Sequence, residues 1–197
     1  DVTDAYLLLQ AIVDINNSDI FSSLNSFSLP AELIPSDLSS IKMAFSTDLG
    51  CAPVDNEIKK VFLKKIEAIK SCFNYTNNDH PNFLNIHDCF EVIRGFNYVA
   101  SHIEKVKNNK ELLGPNVIDN VERGLKYSMK DITWAHQEQT KIYNNFRKFF
   151  ENYDVLICPA ASVSPFPHEQ LFVEKINNEK LPTVSYTHLR AHETVVH

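Results

Sequence analysis

Glycine is scarce in this sequence of 197 residues, with four copies at positions 50, 95, 114 and 124, none adjacent to another. Segments that turn tightly and present backbone amides to a developing oxyanion depend on glycine. The serine pairs Ser22-Ser23 and Ser39-Ser40 have no glycine beside them, and no Gly-x-Ser-x-Gly elbow occurs. Neither serine pair therefore has the features of such a segment.

An excess of basic residues is also missing. The chain has 19 Lys and Arg against 25 Asp and Glu, a net charge of −6 and a pI near 5.7. This balance argues against nucleic acid or an anionic membrane as the main partner. No apolar run approaches the roughly 20 residues that span a bilayer, and the first residues do not resemble a signal peptide. We expect a cytoplasmic protein without a membrane partner.

Cysteine and histidine patterns typical of metal sites are absent. The cysteines at 51, 72, 89 and 158 form no Cys-x-x-Cys pair, so buried free thiols are expected. Near the end of the chain, His188 and His192 are four apart with Glu193 adjacent, which would suit a metal on one helical face. The order differs from the zincin motif His-Glu-x-x-His, and spacing indicates no third ligand. We predict no metal and no cofactor.

The most informative segment that is present runs from Phe150 to Ala160. Val155 to Cys158 are apolar without alternation, which is typical of a strand covered on both faces, and Pro159 ends it. Ligands of open α/β sheets bind at the carboxyl ends of strands. Pro159 to Pro167 is thus a candidate rim of an active-site cleft, with an ordinary loop as the alternative.

The remaining pattern is mostly helical, with one further strand. Two strands alone make a poor sheet, so strands from elsewhere are expected beside them. Periodicity and caps predict helices over 2–15, 55–71, 86–108, 116–127 and 129–152, strands over 41–46 and 154–158, and a polar loop from Asn74 to Pro81. The predicted class is α/β.

Three segments carry a resemblance to a known family. Residues 153–159, Tyr-Asp-Val-Leu-Ile-Cys-Pro, resemble the "yDvLltP" strand of the amidase signature family, serine hydrolases that cleave carboxamides. Residues 41–55 are similar to its "vafspDlG.apvdpev" strand, loop and helix, and residues 1–12 resemble its "rtvaDaalLLdaiaG" helix. The three occur in family order, which gives short motifs their specificity.

The resemblance implies an incomplete amidase-signature fold, a mixed sheet wrapped by helices. In that family a lysine, a serine in a cis peptide and a nucleophilic serine perform catalysis, and the two serines lie in a glycine- and serine-rich segment that precedes the region matched here. The resemblance therefore implies that this chain contains no catalytic residue. Residues 1–183 then form a partial amidase domain acting on a small-molecule amide without cofactor, and a homodimer is compatible with this assignment. Residues 184–197 resemble a translated sequencing-adapter tail and are expected to be artefactual.

Two alternatives stay open at this point. Glutamine-dependent transfer-RNA amidotransferase subunits of the family carry a substrate-holding arginine about where this chain has Gln139, and that departure weakens such an assignment. Gln139 is the polar member of an apolar stripe on the last helix, so it should meet a partner, line a cavity or remain partly exposed. A noncatalytic helical interaction domain is the alternative from a different class.

Other polar residues have simpler interpretations. Ser101 and His102 with Asp88 or Asp131 could form a nucleophile, base and orienter, yet no oxyanion loop accompanies them. Glu91 and Arg94, three apart on one helix, are expected to form a surface ion pair. The lysines at 59, 60, 64 and 65 are expected to form the solvated face of an amphipathic helix.

Overall fold

The computed structural model describes residues 1–13, 29–167, 169, 173 and 175–180. The chain divides into two compact units, residues 1–37 and residues 38 onward. The predicted tail at 184–197, with His188, His192 and Glu193, lies outside the described residues.

In the described part of the first unit, α1 (Val2–Ile12) is the α-helix. Asp1 caps it by accepting the backbone N–H of Asp4 at 3.0 Å, while the Asp4 carboxylate accepts from the chain's first nitrogen. The helix ends three residues before the predicted residue 15, because Val13 adopts an extended conformation. None of its residues is buried, and Leu8 and Ile12 are 62% and 68% exposed. A helix with so many apolar side chains usually packs them against another part of the protein.

The second unit is organised around a parallel sheet whose described strands are β1 (Lys42–Phe45), β2 (Tyr75–Asn78) and β3 (Val155–Ile157). Their order in the sheet is β2-β1-β3. Helix α2 (Asn56–Ile69) connects β1 to β2, as the crossover of a βαβ unit requires. In the central strand, Met43 and Ala44 are both 0% exposed. The strand predicted over 41–46 is therefore confirmed and forms the middle of the sheet.

Strand β2 corrects the sequence prediction, which made Asn74 to Pro81 a loop. Tyr75 to Asn78 pair in parallel with Lys42 to Phe45, residue for residue. The segment is polar because no other described strand pairs with its outer side, and an edge position tolerates asparagine. Pattern alone missed it, since pairing with β1 is a tertiary interaction.

Strand β3 occurs where predicted and ends before Pro159, but its burial was predicted wrongly. Val155, Leu156 and Ile157 are each only half-buried, and Cys158 is exposed. Among the described residues, β3 pairs with β1 alone. Its apolar sequence suits a strand with neighbours on both sides, whereas here it forms an edge.

A helical layer follows β2 in the chain, and its helices begin where the sequence predicts. The elements are α3 (Ile86–Asn108), α4 (Pro115–Gly124) and α5 (Met129–Phe149), followed after β3 by an antiparallel hairpin of β4 (Lys175–Ile176) and β5 (Glu179–Lys180). Cys89, Val92 and Ala135 form the core between α3 and α5. At the end of α5, Phe149 and Tyr153 pack against Ala44 of the sheet. The fold is α/β and mostly helical, as predicted.

The cysteines do not all behave as buried thiols. Cys89 is buried and its thiol donates to the carbonyl of Ala135 at 3.2 Å, whereas Cys51 is half-buried. Cys72 and Cys158 are exposed, because one lies in the short 3-10 turn after α2 and the other follows an edge strand. The expectation of buried cysteines is thus wrong for two of the four.

Within the ranges that the structure describes, no helix is long and apolar enough to cross a membrane. Across the same residues, no three His, Cys, Asp or Glu side chains come together as candidate metal ligands.

Helices α3 and α4 cross closely at a pair of glycines. A Cβ added to Gly124 would lie 2.3 Å from the carbonyl oxygen of Gly95 and 2.7 Å from the Val99 side chain. Both helix backbones can approach this closely only because neither glycine carries a side chain.

We predict that Gly124→Ala lowers the free energy of unfolding by about 2 kcal/mol, since the new methyl must push the two helices apart. Urea unfolding followed by circular dichroism measures this. Gly114→Ala is the matched control, because nothing lies within 4 Å of its added Cβ. A Gly124→Ala variant as stable as the Gly114→Ala variant would contradict the close crossing.

Candidate functional site

Three loops lie at the carboxyl edge of the parallel sheet, one after each strand. They comprise residues 46–55 after β1, residues 79–85 after β2 and residues 158–167 after β3. Because the strands are parallel, their carboxyl ends share one edge, where ligands of open α/β sheets bind. The predicted rim from Pro159 to Pro167 is therefore joined by two further loops. We call the three together the edge loops.

The first edge loop turns sharply and is held by its own side chains. Ser46 is 2% exposed, and its hydroxyl accepts the backbone N–H of Leu49 at 2.9 Å. Leu49 and Gly50 have φ values of 54° and 67°, in the left-handed region that glycine favours. The backbone N–H groups of Cys51 and Ala52 both donate to the Asp48 carbonyl. The loop is thus a compact turn between β1 and α2.

An ion pair fixes this loop to α2. The Lys59 ammonium lies 2.5 Å from the Asp48 carboxylate, and Gly50 N–H donates to the same carboxylate at 3.1 Å. Partial burial raises the pKa of Asp48, but the hydrogen bonds from Lys59 and Gly50 outweigh it and leave the pKa below its usual value. Lys59 therefore does not belong to the purely solvated face predicted for it.

Two histidines clamp the turn from the second edge loop and from α3. The His80 ring lies against Gly50, where a Cβ would come 2.4 Å from the ring carbon Cε1. Its Nδ1–H donates to the carbonyl of Pro81 at 2.8 Å, and the ring stacks on Phe83 with planes 7° apart. His87 donates through Nε2 to the carbonyl of Cys51 at 2.8 Å. Glycine at position 50 is what makes room for His80.

The third edge loop is bonded to the first. Asp55 N–H donates to the carbonyl of Ser162 at 2.8 Å, and Ser46 N–H donates to the carbonyl of Ile157 at 3.0 Å. The amide of Asn177, in the β4–β5 turn, accepts from Asn56 N–H and donates to the carbonyl of Val54, each at 3.0 Å. The hairpin is thereby attached at the start of α2, beside the edge loops.

The chemistry of the edge loops is that of a binding surface. Burial, with a smaller effect of Asp48, raises the pKa of Cys51 to about 11, so this thiol is protonated at neutral pH and is a poor nucleophile. Ser46 and Ser162 are 2% and 6% exposed, which keeps both hydroxyls away from a substrate. These loops offer shape, apolar surface and hydrogen-bonding groups.

Gln139, the glutamine singled out on the last helix, is exposed on α5. The buried polar residue is its neighbour Glu138, which is 6% exposed and lies on the same stripe as Ala135 and Ile142. A hydrogen bond from Lys141 is the main cause that lowers the pKa of Glu138, and a second comes from Asn85 at 3.2 Å. Glu138 thus holds the second edge loop against α5.

The other candidates do not assemble as a triad. The carboxylate of Asp131 accepts from the Ser128 backbone and hydroxyl at 2.8 and 2.6 Å and so caps α5. His102 packs edge-on against Tyr98, and Ser101 is exposed. Nothing in the described residues brings these groups to one point.

The predicted ion pair between Glu91 and Arg94 is wrong. Glu91 instead binds Arg123 of α4, in a short ion pair between the two helices. The Arg94 guanidinium lies 5.4 Å from the centre of the Tyr98 ring and 6.0 Å from that of Phe90. The partner of Glu91 lies on a neighbouring helix, and residue spacing within one helix cannot predict such a pair.

Sequence reasoning missed two residues that shape the edge loops. His80 carries no local signal, because its partner Gly50 is 30 residues away along the chain. Asn177 did have a local signal in the sequence, since an Asn-Asn pair between polar residues indicates a tight hairpin turn. In the structure both asparagines have positive φ values, 51° and 67°.

We predict that Asp48→Asn lowers the free energy of unfolding at pH 7 by about 1 kcal/mol, because Lys59 loses its charged partner. The folded-state pKa of Asp48 is depressed, so the ion pair contributes fully above about pH 4 and is lost as pH falls through that lowered pKa. Urea unfolding at several pH values should show the difference from wild type shrinking below about pH 4.

Asp119→Asn is the control, since Asp119 is 61% exposed and lies 3.7 Å from Arg123. It should change stability by less than about 0.5 kcal/mol. A deficit of Asp48→Asn that stays constant down to pH 2.5 would exclude the charged interaction as its cause.

Comparisons with known proteins bear on this arrangement. The family model described as amidase matches residues 1–195. No curated protein matches the chain significantly. Two solved structures share the fold: a bacterial aryl acylamidase belonging to the amidase signature enzymes, with a TM-score of 0.65 and 14% identity, and an amidase, with a TM-score of 0.64 and 17% identity.

Each alignment covers 76% of this chain but only 34% and 35% of the two solved chains. The chain thus spans about a third of the structures it matches. At these identities, the similarity to the solved structures shows only the fold. The family is shown by the family model, which matches nearly every residue. The order of the sequence motifs, the parallel sheet and the match over residues 1–195 agree, and the chain belongs to the amidase signature family of amide-hydrolysing enzymes.

Proposed function

We propose that this chain is the internal part of an amide hydrolase, in which the edge loops form one wall of the substrate cleft. The observation that carries the proposal is the meeting of three loops at the carboxyl edge of a parallel sheet in a chain of this family. The nucleophilic serine and the lysine come from sequence outside these residues. The substrate is a small-molecule amide; the serine attacks its carbonyl, the C–N bond breaks with release of ammonia or an amine, and water then hydrolyses the acyl-enzyme.

The character of the edge loops supports a wall for an apolar amide. The third loop carries Pro159, Pro165, Phe166 and Pro167, and Phe166 is 42% exposed. Hydrogen bonds from Ser46 to Ile157, just before this loop, and from Asp55 to Ser162, within it, hold the first half of the loop in place before a substrate arrives. A preorganised wall loses little entropy on binding.

The cysteine and serine side chains of the edge loops also suit a cleft wall better than a catalytic centre. Cys51 is protonated, and Ser46 and Ser162 are covered. A bound amide would therefore meet apolar side chains and backbone groups here, while the groups that break its bond approach from the other side. We further propose a cytoplasmic enzyme.

An amidotransferase role for transfer RNA finds no specific support. Gln139, which stands about where those subunits have an arginine, is exposed on α5. The net charge of −6 offers no general attraction for a polyanion. Hydrolysis of a small amide is the simpler assignment.

We predict that Phe166→Ala in the intact hydrolase raises KM for an aryl amide about threefold to tenfold, because the wall loses part of its apolar contact. The change in kcat should be smaller, since the loop does not act on the reacting bond. Steady-state kinetics with an aryl amide series measures both constants.

Phe96→Ala is a matched control, because Phe96 is 41% exposed on α3, away from the edge loops. It should leave KM unchanged. Equal effects of the two substitutions, or none from Phe166→Ala, would contradict the placement of the third loop in the cleft wall.

A further inference from the structure

A groove lies on one face of the sheet, beside β2. It has a volume of about 490 Å³ and is lined by Lys42, Tyr75, Asp79, Asn152 and Tyr153. That volume falls within the range of small-molecule sites. The groove contains one positive charge and one negative charge, together with two aromatic rings.

A relay of hydrogen bonds fixes the acidic end of the groove. The Tyr153 hydroxyl donates to the Asp79 carboxylate at 2.8 Å and accepts from the Asn77 amide at 2.8 Å. The other oxygen of Asp79 accepts the backbone N–H of His80 at 2.8 Å. A carboxylate has about four acceptor positions, so Asp79 is held in place with capacity left for a further donor.

The register of the strands sets the distance between the two charges. Lys42 pairs with Tyr75, and Asp79 directly follows the last residue of β2, four residues after Tyr75. Four residues of strand span about 13 Å, and the flexible lysine side chain shortens the gap between the charged groups. Among the described residues, neither the Lys42 ammonium nor the Asp79 carboxylate forms an ion pair, while the Asp154 carboxylate accepts the Lys42 backbone N–H at 2.8 Å.

Aromatic surface lies between these charges. The rings of Tyr75 and Tyr153 have centres 6.3 Å apart and planes 22° apart, and Tyr75 is 51% exposed. An exposed ring face accepts a flat group by stacking. The exposed carboxamide of Asn152 adds hydrogen-bonding capacity at the wall.

We propose that this groove binds a short zwitterionic peptide of about three residues, which spans roughly 10 Å when extended and can bridge from the Asp79 carboxylate toward the flexible Lys42 side chain. Its ammonium group binds the Asp79 carboxylate, its carboxylate binds the Lys42 ammonium, and a flat central side chain stacks on Tyr75. Binding here requires no reaction and does not depend on the location of the catalytic serine.

The test uses the peptide Gly-Tyr-Gly with the intact hydrolase in calorimetric titrations. We expect saturable binding that weakens about fivefold when the peptide is N-acetylated and about fivefold when its carboxylate is amidated. Absence of saturation up to about 20 mM peptide, or equal binding of all three peptides, would overturn the proposal.

Two substitutions test which end of the peptide binds Asp79 and which end binds Lys42. In Asp79→Asn, N-acetylation should cause no further loss, while amidation still does; in Lys42→Met the reverse should hold. Lys60→Met is the control, because Lys60 lies exposed on α2. If the Asp79→Asn variant fails to fold, the amidation effect measured in the Lys42→Met variant tests the proposal by itself. An N-acetylation effect that persists in Asp79→Asn, or an amidation effect that persists in Lys42→Met, would contradict the orientation.

Discussion

The central position of β1 is the constraint on which the rest of the second unit depends. Both sides of this strand are hydrogen-bonded, and Met43 and Ala44 are sealed between layers with 0% exposure. The pairing continues past the strand ends, where Asp79 N–H donates to the Phe45 carbonyl and Asp154 N–H to the Lys42 carbonyl. Because both neighbours run parallel to β1, their following loops must meet at one edge. The site is thus a consequence of strand direction.

Within that frame, each edge loop is held by a different kind of interaction. An ion pair to Lys59 holds the first, a histidine ring against Gly50 joins the first to the second, and a backbone hydrogen bond to Ser162 joins the first to the third. None of these is strong alone, and surface ion pairs commonly contribute less than about 1 kcal/mol. Their combination fixes the first and second loops and Ser162 of the third relative to one another.

Much of the fold could be predicted from sequence because local signals are strong where helices begin. Asp55 caps α2 and Ser128 caps α5, as their positions before amphipathic runs indicate. The strand before Pro159 was also recognisable, and motif order identified the family. Helix ends and strand burial were less predictable. Strand β2 has a polar sequence and forms only because β1 lies beside it. Glu138 and Gln139 both follow Ala135 at helical spacing, and Glu138 is the buried one, bonded to Asn85 of the second edge loop, a contact that spacing cannot predict.

The edge loops escaped prediction for a related reason, since their contacts join residues far apart in sequence, such as Gly50 with His80 and Val54 with Asn177. The most direct test of their role is a crystal structure of the intact hydrolase with a serine-reactive inhibitor bound covalently. We predict that the modified serine lies outside residues 1–197 and that the inhibitor contacts the third edge loop around Phe166. An inhibitor attached to a serine of this chain, or one far from all three edge loops, would contradict the assignment of a cleft wall.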